Sequence, residues 1–84
     1  MFNILPIKLK IKKIVKKHQL ENKTSKQLKL LAQNPKHPSL NLELLEPKKY
    51  GIYSIRIDKK YRALLFFHPN CKTIEILTIT LHYQ

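Results

Sequence analysis

GIYSIRIDKKYRALLFF, residues 51–67, is the stretch whose reading decides the fold. Its first half alternates: Tyr53, Ile55 and Ile57 point to one side, Ser54 and Arg56 to the other, the pattern of a half-buried strand. Asp58-Lys59-Lys60 is a short polar connection, and Tyr61 to Phe67 is a second strand rich in aromatic and branched residues. Two strands so close in sequence most simply pair as an antiparallel hairpin. Arg56 and Arg62 then sit on neighbouring strands near the connection. Two guanidinium groups brought together on a sheet make a poor core and a good anion site.

C-terminal to the hairpin, Pro69-Asn70 turns the chain, and Thr73 to His82 reads as a last strand. Strict alternation along it groups Ile74 and Ile76 with Thr78, Thr80 and His82, and sets Leu77, Ile79 and Leu81 opposite. On the N-terminal side, Asn41 to Leu45 predicts a strand with Leu42 and Leu44 on one face and Glu43 and Leu45 on the other. Pro35 to Ser39 is a rigid, proline-bearing linker. Leu20, Thr24, Leu28 and Leu31, broadened by Leu30, keep helical spacing over Leu20 to Gln33, and Asn34-Pro35 ends that helix. Ile7, Ile11, Ile14, Val15 and His18 form a similar stripe over Ile7 to His18, with a lysine face opposite. Met1 to Leu5 is a short apolar run suited to a brief edge strand. The expected architecture is α+β: two N-terminal helices packed on a twisted, mainly antiparallel sheet of about four strands.

Eighty-four residues make one domain, 1–84, with one small core. Seventeen basic residues against five acidic ones give a net charge of +12, extreme for this size. Nine lysines against one glutamate leave residues 1–34 at +8, so the positive field is concentrated on the helical half. Self-repulsion of this kind favours polyanionic partners, nucleic acid or an acidic protein. The single cysteine, Cys71, fits a reducing compartment and a cytoplasmic location. The apolar residues at the N-terminus are interrupted by charge too often for a signal peptide or a membrane span.

One glycine excludes a phosphate-binding loop and a dinucleotide fingerprint. His18, His37, His68 and His82 lack metal-ligand spacing, and no cofactor is expected. Glu43, Arg56, Arg62, His82 and Tyr83 remain, all on expected strands and near strand ends. That set suits metal-free RNA cleavage, in which the substrate's own 2′-hydroxyl attacks the phosphate. In that chemistry Glu43 would be the base and His82 the acid that protonates the leaving 5′-oxygen, or the two in exchanged roles, and Arg62 with Arg56 would grip the phosphate. Tyr83 would stack on or orient a base. Lys48, Lys49, Lys59 and Lys60 add phosphate and RNA contacts. In purely structural terms, Glu43 is a surface residue, the two arginines pair with Asp58, and His82-Tyr83 is a frayed end.

The motifs NPKHPSL (34–40), GIYSIRIDKKYR (51–62) and a terminal LHYQ (81–84) resemble the RelE/ParE superfamily of toxins from type II toxin–antitoxin systems. The YoeB-like ribonucleases of that superfamily come closest. The residues that carry the likeness are Gly51, Ser54, Arg56-Ile57, Tyr61-Arg62 and His82-Tyr83, and the family's catalytic glutamate falls on Glu43. The likeness covers residues 20–84. It implies a microbial-RNase-like fold and metal-free cleavage of messenger RNA in the ribosomal A site. It also implies a cytoplasmic protein, a monomer or dimer when free, that is neutralised in a hetero-oligomer with a cognate antitoxin. The superfamily includes gyrase inhibitors without nuclease activity, which stand as the alternative function beside a plain basic nucleic-acid-binding module.

Overall fold

The alternating run and the aromatic run do pair as an antiparallel hairpin in the structure, a computed structural model that describes residues 1–70 and 72–81. The hairpin consists of two of five strands. In chain order these are β1 (Asn3–Ile4), β2 (Glu43–Leu44), β3 (Ile52–Arg56), β4 (Tyr61–Phe67) and β5 (Thr73–Leu81). Their order across the sheet is β1-β5-β4-β3-β2. All neighbours are antiparallel except β1, which runs parallel to β5. The brief N-terminal edge strand thus exists and brings the sheet to five strands rather than about four. The β3–β4 turn is tied by Asp58, whose Oδ1 accepts the backbone N–H groups of Lys60 and Tyr61 at 2.8 Å each.

Two helices, α1 (Leu9–Lys17) and α2 (Glu21–Gln33), precede β2. Between them Gln19 takes a left-handed φ of 56°, which reverses the chain, and Leu20 plugs the corner at 2 % exposure. Ile11 and Val15 of α1 and Leu31 of α2 meet Ile55, Ala63, Leu65, Ile74, Ile76 and Ile79 of the sheet in one core. Both helices therefore cover the same sheet face. Each fully buried aliphatic side chain there contributes about 1.5–3 kcal/mol. The lysine face of α1 is left to solvent, as its sequence requires.

Strict alternation along β5 is overturned. Thr78 pairs with Leu64, but the next pair is Ile76 with Leu65, so Leu77 is an extra residue in the ladder. A bulge of this kind shifts the side-chain phase by one. Ile74, Ile76 and Ile79 all reach the helix side as a result, while Thr78 and Thr80 lie on the other. The reason is burial, since strict alternation would have put either the two N-terminal isoleucines or Ile79 on the wrong face. The open face carries two cross-strand rows, Ser54–Leu64–Thr78 and Arg56–Arg62–Thr80.

The core position of Leu31, fully buried, and the surface position of Leu9, 68 % exposed, set up a contrast within the helical layer. Leu31→Ala is expected to lower the unfolding free energy by about 2–5 kcal/mol, and Leu9→Ala to change it by less than about 0.5 kcal/mol. Urea titration followed by circular dichroism measures both.

Candidate functional site

Arg62 lies on the open face yet is only 5 % exposed. Its guanidinium is accommodated by acceptors from two directions. Nε donates to Ser54 Oγ at 2.9 Å. Nη2 donates to the carbonyl oxygens of Asn41, at 2.6 Å, and Ser54, at 3.3 Å. The Asn41 carbonyl is aimed by a left-handed backbone, φ 48°, a conformation asparagine adopts more readily than most residues. Two residues on, at the start of β2, Glu43 Oε1 stands 3.9 Å from Nη2. Burial pushes the Arg62 guanidinium below its ordinary pKa, the Glu43 carboxylate pulls it back up, and the neighbouring Arg56 pushes it down again. Arginine nevertheless remains charged at any physiological pH. Nη1 makes no hydrogen bond among the described residues and is the donor left for a ligand.

These side chains line a pocket of about 210 Å³, closed by Leu45, Leu64, Thr80 and Leu81. Glu43 is half exposed at its mouth. A carboxylate beside a fixed guanidinium can accept a proton from a hydroxyl while the cation holds the anion to which that hydroxyl is attached.

Of the residues expected to form the site, Glu43 and Arg62 meet in this pocket, while Arg56, the direct cross-strand partner of Arg62, stands beside it without lining it. Lys59 and Lys60 stand in the β3–β4 turn, at the Arg56 end of β3. Lys48 and Lys49 are in a single 3-10 turn, Lys48–Tyr50, that leads into the other end of β3. At about 3.3 Å per residue, the five residues of β3 keep the two lysine pairs more than about 13 Å apart. His82 and Tyr83 lie outside the described residues. The pairing of the arginines with Asp58 does not occur. Arg62 pairs with Glu43, and Asp58 Oδ2 pairs with Lys23 at 3.5 Å.

A second, larger concavity of about 850 Å³ lies where α2 meets the β3–β4 turn, and Arg56 borders this one. Its wall holds Tyr61, whose hydroxyl is 3.0 Å from His18 Nδ1. Sequence reasoning missed Asn41, Ser54, Gln27, His18 and Tyr61 as parts of these sites. The signals were an asparagine after a proline-bearing turn and a serine two residues before Arg56 on the same strand face. Among the described residues no group of three His, Cys, Asp or Glu side chains could hold a metal. No helix among them is long and apolar enough to cross a membrane.

No protein-family model matches the chain, and no curated protein does. Solved structures do match over its whole length. The YoeB–YefM complex from Staphylococcus aureus shares 24% identity over 99% of both chains, with a TM-score of 0.70. The YoeB/ParE toxin from Agrobacterium tumefaciens shares 14% identity over 98% of both chains, with a TM-score of 0.73. The heterotetrameric YoeB–YefM toxin–antitoxin complex from Staphylococcus aureus matches at 24% identity over 99% of both chains, with a TM-score of 0.70. The fold is therefore that of the YoeB and ParE toxins: two helices on one face of a five-stranded sheet, with an open face opposite.

Two consequences of this geometry are measurable. Ser54→Ala strands Arg62 Nε in a buried position and is expected to cost about 1–3 kcal/mol in urea unfolding. For Asp58, burial alone would raise the carboxyl pKa, but the Lys60 and Tyr61 N–H groups and the Lys23 ammonium outweigh it and hold the pKa below 3.8, its ordinary value. A carboxyl lowered on folding gives stability that is complete above the unfolded value and lost as pH falls through the folded one. The stability difference between the wild type and Asp58→Asn is therefore expected to be level above about pH 5 and to shrink progressively below about pH 4.

Proposed function

We propose that this chain is the toxin of a type II toxin–antitoxin pair, and that it cleaves messenger RNA in the ribosomal A site without a metal. The observation that carries the reading is the meeting of Glu43 and the buried Arg62 in one pocket on the open face of a sheet shared with the YoeB toxins. In this reading Glu43 takes the proton of a 2′-hydroxyl, and the freed oxygen attacks the adjacent phosphorus. Arg62, through Nη1, and Arg56 hold the phosphate oxygens as negative charge builds on them. The bond to the 5′-oxygen breaks, and His82, two residues beyond Thr80 in the sequence, supplies its proton. The products are a 2′,3′-cyclic phosphate and a 5′-hydroxyl. Tyr83 stacks on a base beside the scissile bond. Lys48, Lys49, Lys59 and Lys60 hold flanking phosphates.

The partners in this reading are the ribosome with its message and a cognate antitoxin. The latter would be an acidic chain, suited to a surface of net charge +12. Two of the matching structures are complexes of a YoeB with a YefM. The alternative is a gyrase-inhibiting toxin of the ParE type, supported by the likeness to the YoeB/ParE toxin from Agrobacterium tumefaciens.

A reconstituted translation reaction separates them. The wild-type protein is expected to cut the message and stop peptide synthesis. Glu43→Gln is expected to slow cleavage about a hundredfold to ten-thousandfold, the usual contribution of one acid–base group. His82→Ala should fall in the same range. An intact message with normal peptide yield, together with inhibited plasmid supercoiling, would establish the gyrase reading instead.

A further inference from the structure

The second concavity, between α2 and the β3–β4 turn, has a rigid frame. Gln27 is 6 % exposed and donates from Nε2 to the carbonyl oxygens of Arg56, at 2.7 Å, and Ser39, at 3.2 Å. α2 is thereby pinned to the end of β3. The Tyr61 and His18 rings lie against each other with centroids 4.9 Å apart and form one wall. Lys23 and Lys26 come in from α2, Lys59 and Lys60 from the turn.

Asp58 is the sole acid among the residues that line this cleft. Its carboxylate is already engaged by two backbone N–H groups and by Lys23. Lys26, Lys59 and Lys60 make no ion pair among the described residues. Like charges held around a hollow repel one another unless a polyanion enters. The cleft is separate from the Glu43–Arg62 pocket but adjoins it across one cross-strand pair. Arg56 lines the cleft, while its cross-strand partner Arg62 lines the pocket.

We propose that this cleft is a second phosphate subsite, which holds the ribose–phosphate backbone of the RNA strand as it leaves the Glu43–Arg62 pocket. The inference rests on the ribonuclease reading and names where the rest of its substrate runs. A strand in the pocket passes Arg56, rounds the β3–β4 turn and lays its phosphates between the lysines of α2 and those of the turn. The Tyr61–His18 pair favours nucleic acid over an acidic peptide, because aromatic faces beside a cationic groove are what unpaired bases stack on.

The test is equilibrium binding of a fluorescent oligouridine of about a dozen nucleotides with every 2′-oxygen methylated. Such a strand cannot be cut, so binding is read whether or not the chain has nuclease activity. Lys26→Glu/Lys60→Glu is expected to bind about tenfold more weakly than Lys36→Glu/Lys72→Glu, which makes the same charge change near the opposite end of β4. Its slope of log affinity against log salt should fall by about 1.4, the value for two lost single-strand phosphate contacts. Lys26→Gln/Lys60→Gln, a gentler change, should move in the same direction by less. Equal affinity in the two glutamate pairs would overturn the subsite, as would absence of binding by the wild type. Displacement of the strand by polyglutamate as readily as by unlabelled RNA would overturn the choice of RNA. If the binding contrast holds while unmethylated message stays intact, the subsite stands and the cleavage reading fails.

Discussion

A guanidinium buried in the middle of a small sheet is the constraint on which the rest of this structure depends. Removing such an ion from water costs several kcal/mol unless acceptors replace the lost solvent. Arg62 finds them in the Ser54 hydroxyl, the Ser54 carbonyl and the Asn41 carbonyl. Meeting that need requires β3 and β4 to hold one register, and it draws the segment before β2 across the open face. Once Asn41 is in place, Glu43 has to arrive two residues later, within reach of the same cation. The contacts that make the buried charge tolerable therefore also assemble the pocket. A hydrophobic residue at position 62 could satisfy the fold more cheaply, but it would leave Glu43 with no cation beside it.

The two faces of the sheet divide the work. The helix face is apolar and closes over Ile55, Leu65 and Ile74, each fully buried. The open face mixes polar and apolar side chains, with Ser54, Arg56, Arg62, Thr78 and Thr80 around Leu64, and is bordered by cations. The bulge at Leu77 makes that division possible in β5, because it brings three isoleucines to the core and leaves Thr78 and Thr80 beside Leu64 and Arg62. A net charge of +12 on 84 residues works against compactness, and the cost is contained by keeping most lysines exposed on α1 and in turns. The same charge distribution surrounds the molecule with a positive field that attracts polyanions.

Much of this was legible in the residues alone. The hairpin of β3 and β4, both helical stripes and the helix stop before Pro35 follow from short-range periodicity and steric rules, which operate within a few residues. Glu43 and Arg62 were singled out from their charges and their places near strand ends, and the structure sets the two side chains 3.9 Å apart. The bulge was not legible, since an insertion in one strand is dictated by what its partner and the helices bury, and Ile-Leu-Thr-Ile reads as unbroken alternation. The burial of Arg62 was equally hidden. Nothing local to Tyr61-Arg62-Ala63 reveals that a carbonyl 21 residues upstream will accept from it. The sandwiching of Tyr61 and His18, 43 residues apart, has the same long-range origin.

Attack by a 2′-hydroxyl leaves termini that attack by water at the same phosphate, with the 3′-oxygen leaving, does not. The most direct measurement is the identity of the termini produced when the wild-type protein is added to translating ribosomes. The account predicts a 2′,3′-cyclic phosphate on the upstream fragment and a 5′-hydroxyl on the downstream one. Fragments ending in a 3′-hydroxyl and a 5′-phosphate would contradict it, because water and not the ribose would then have been the nucleophile.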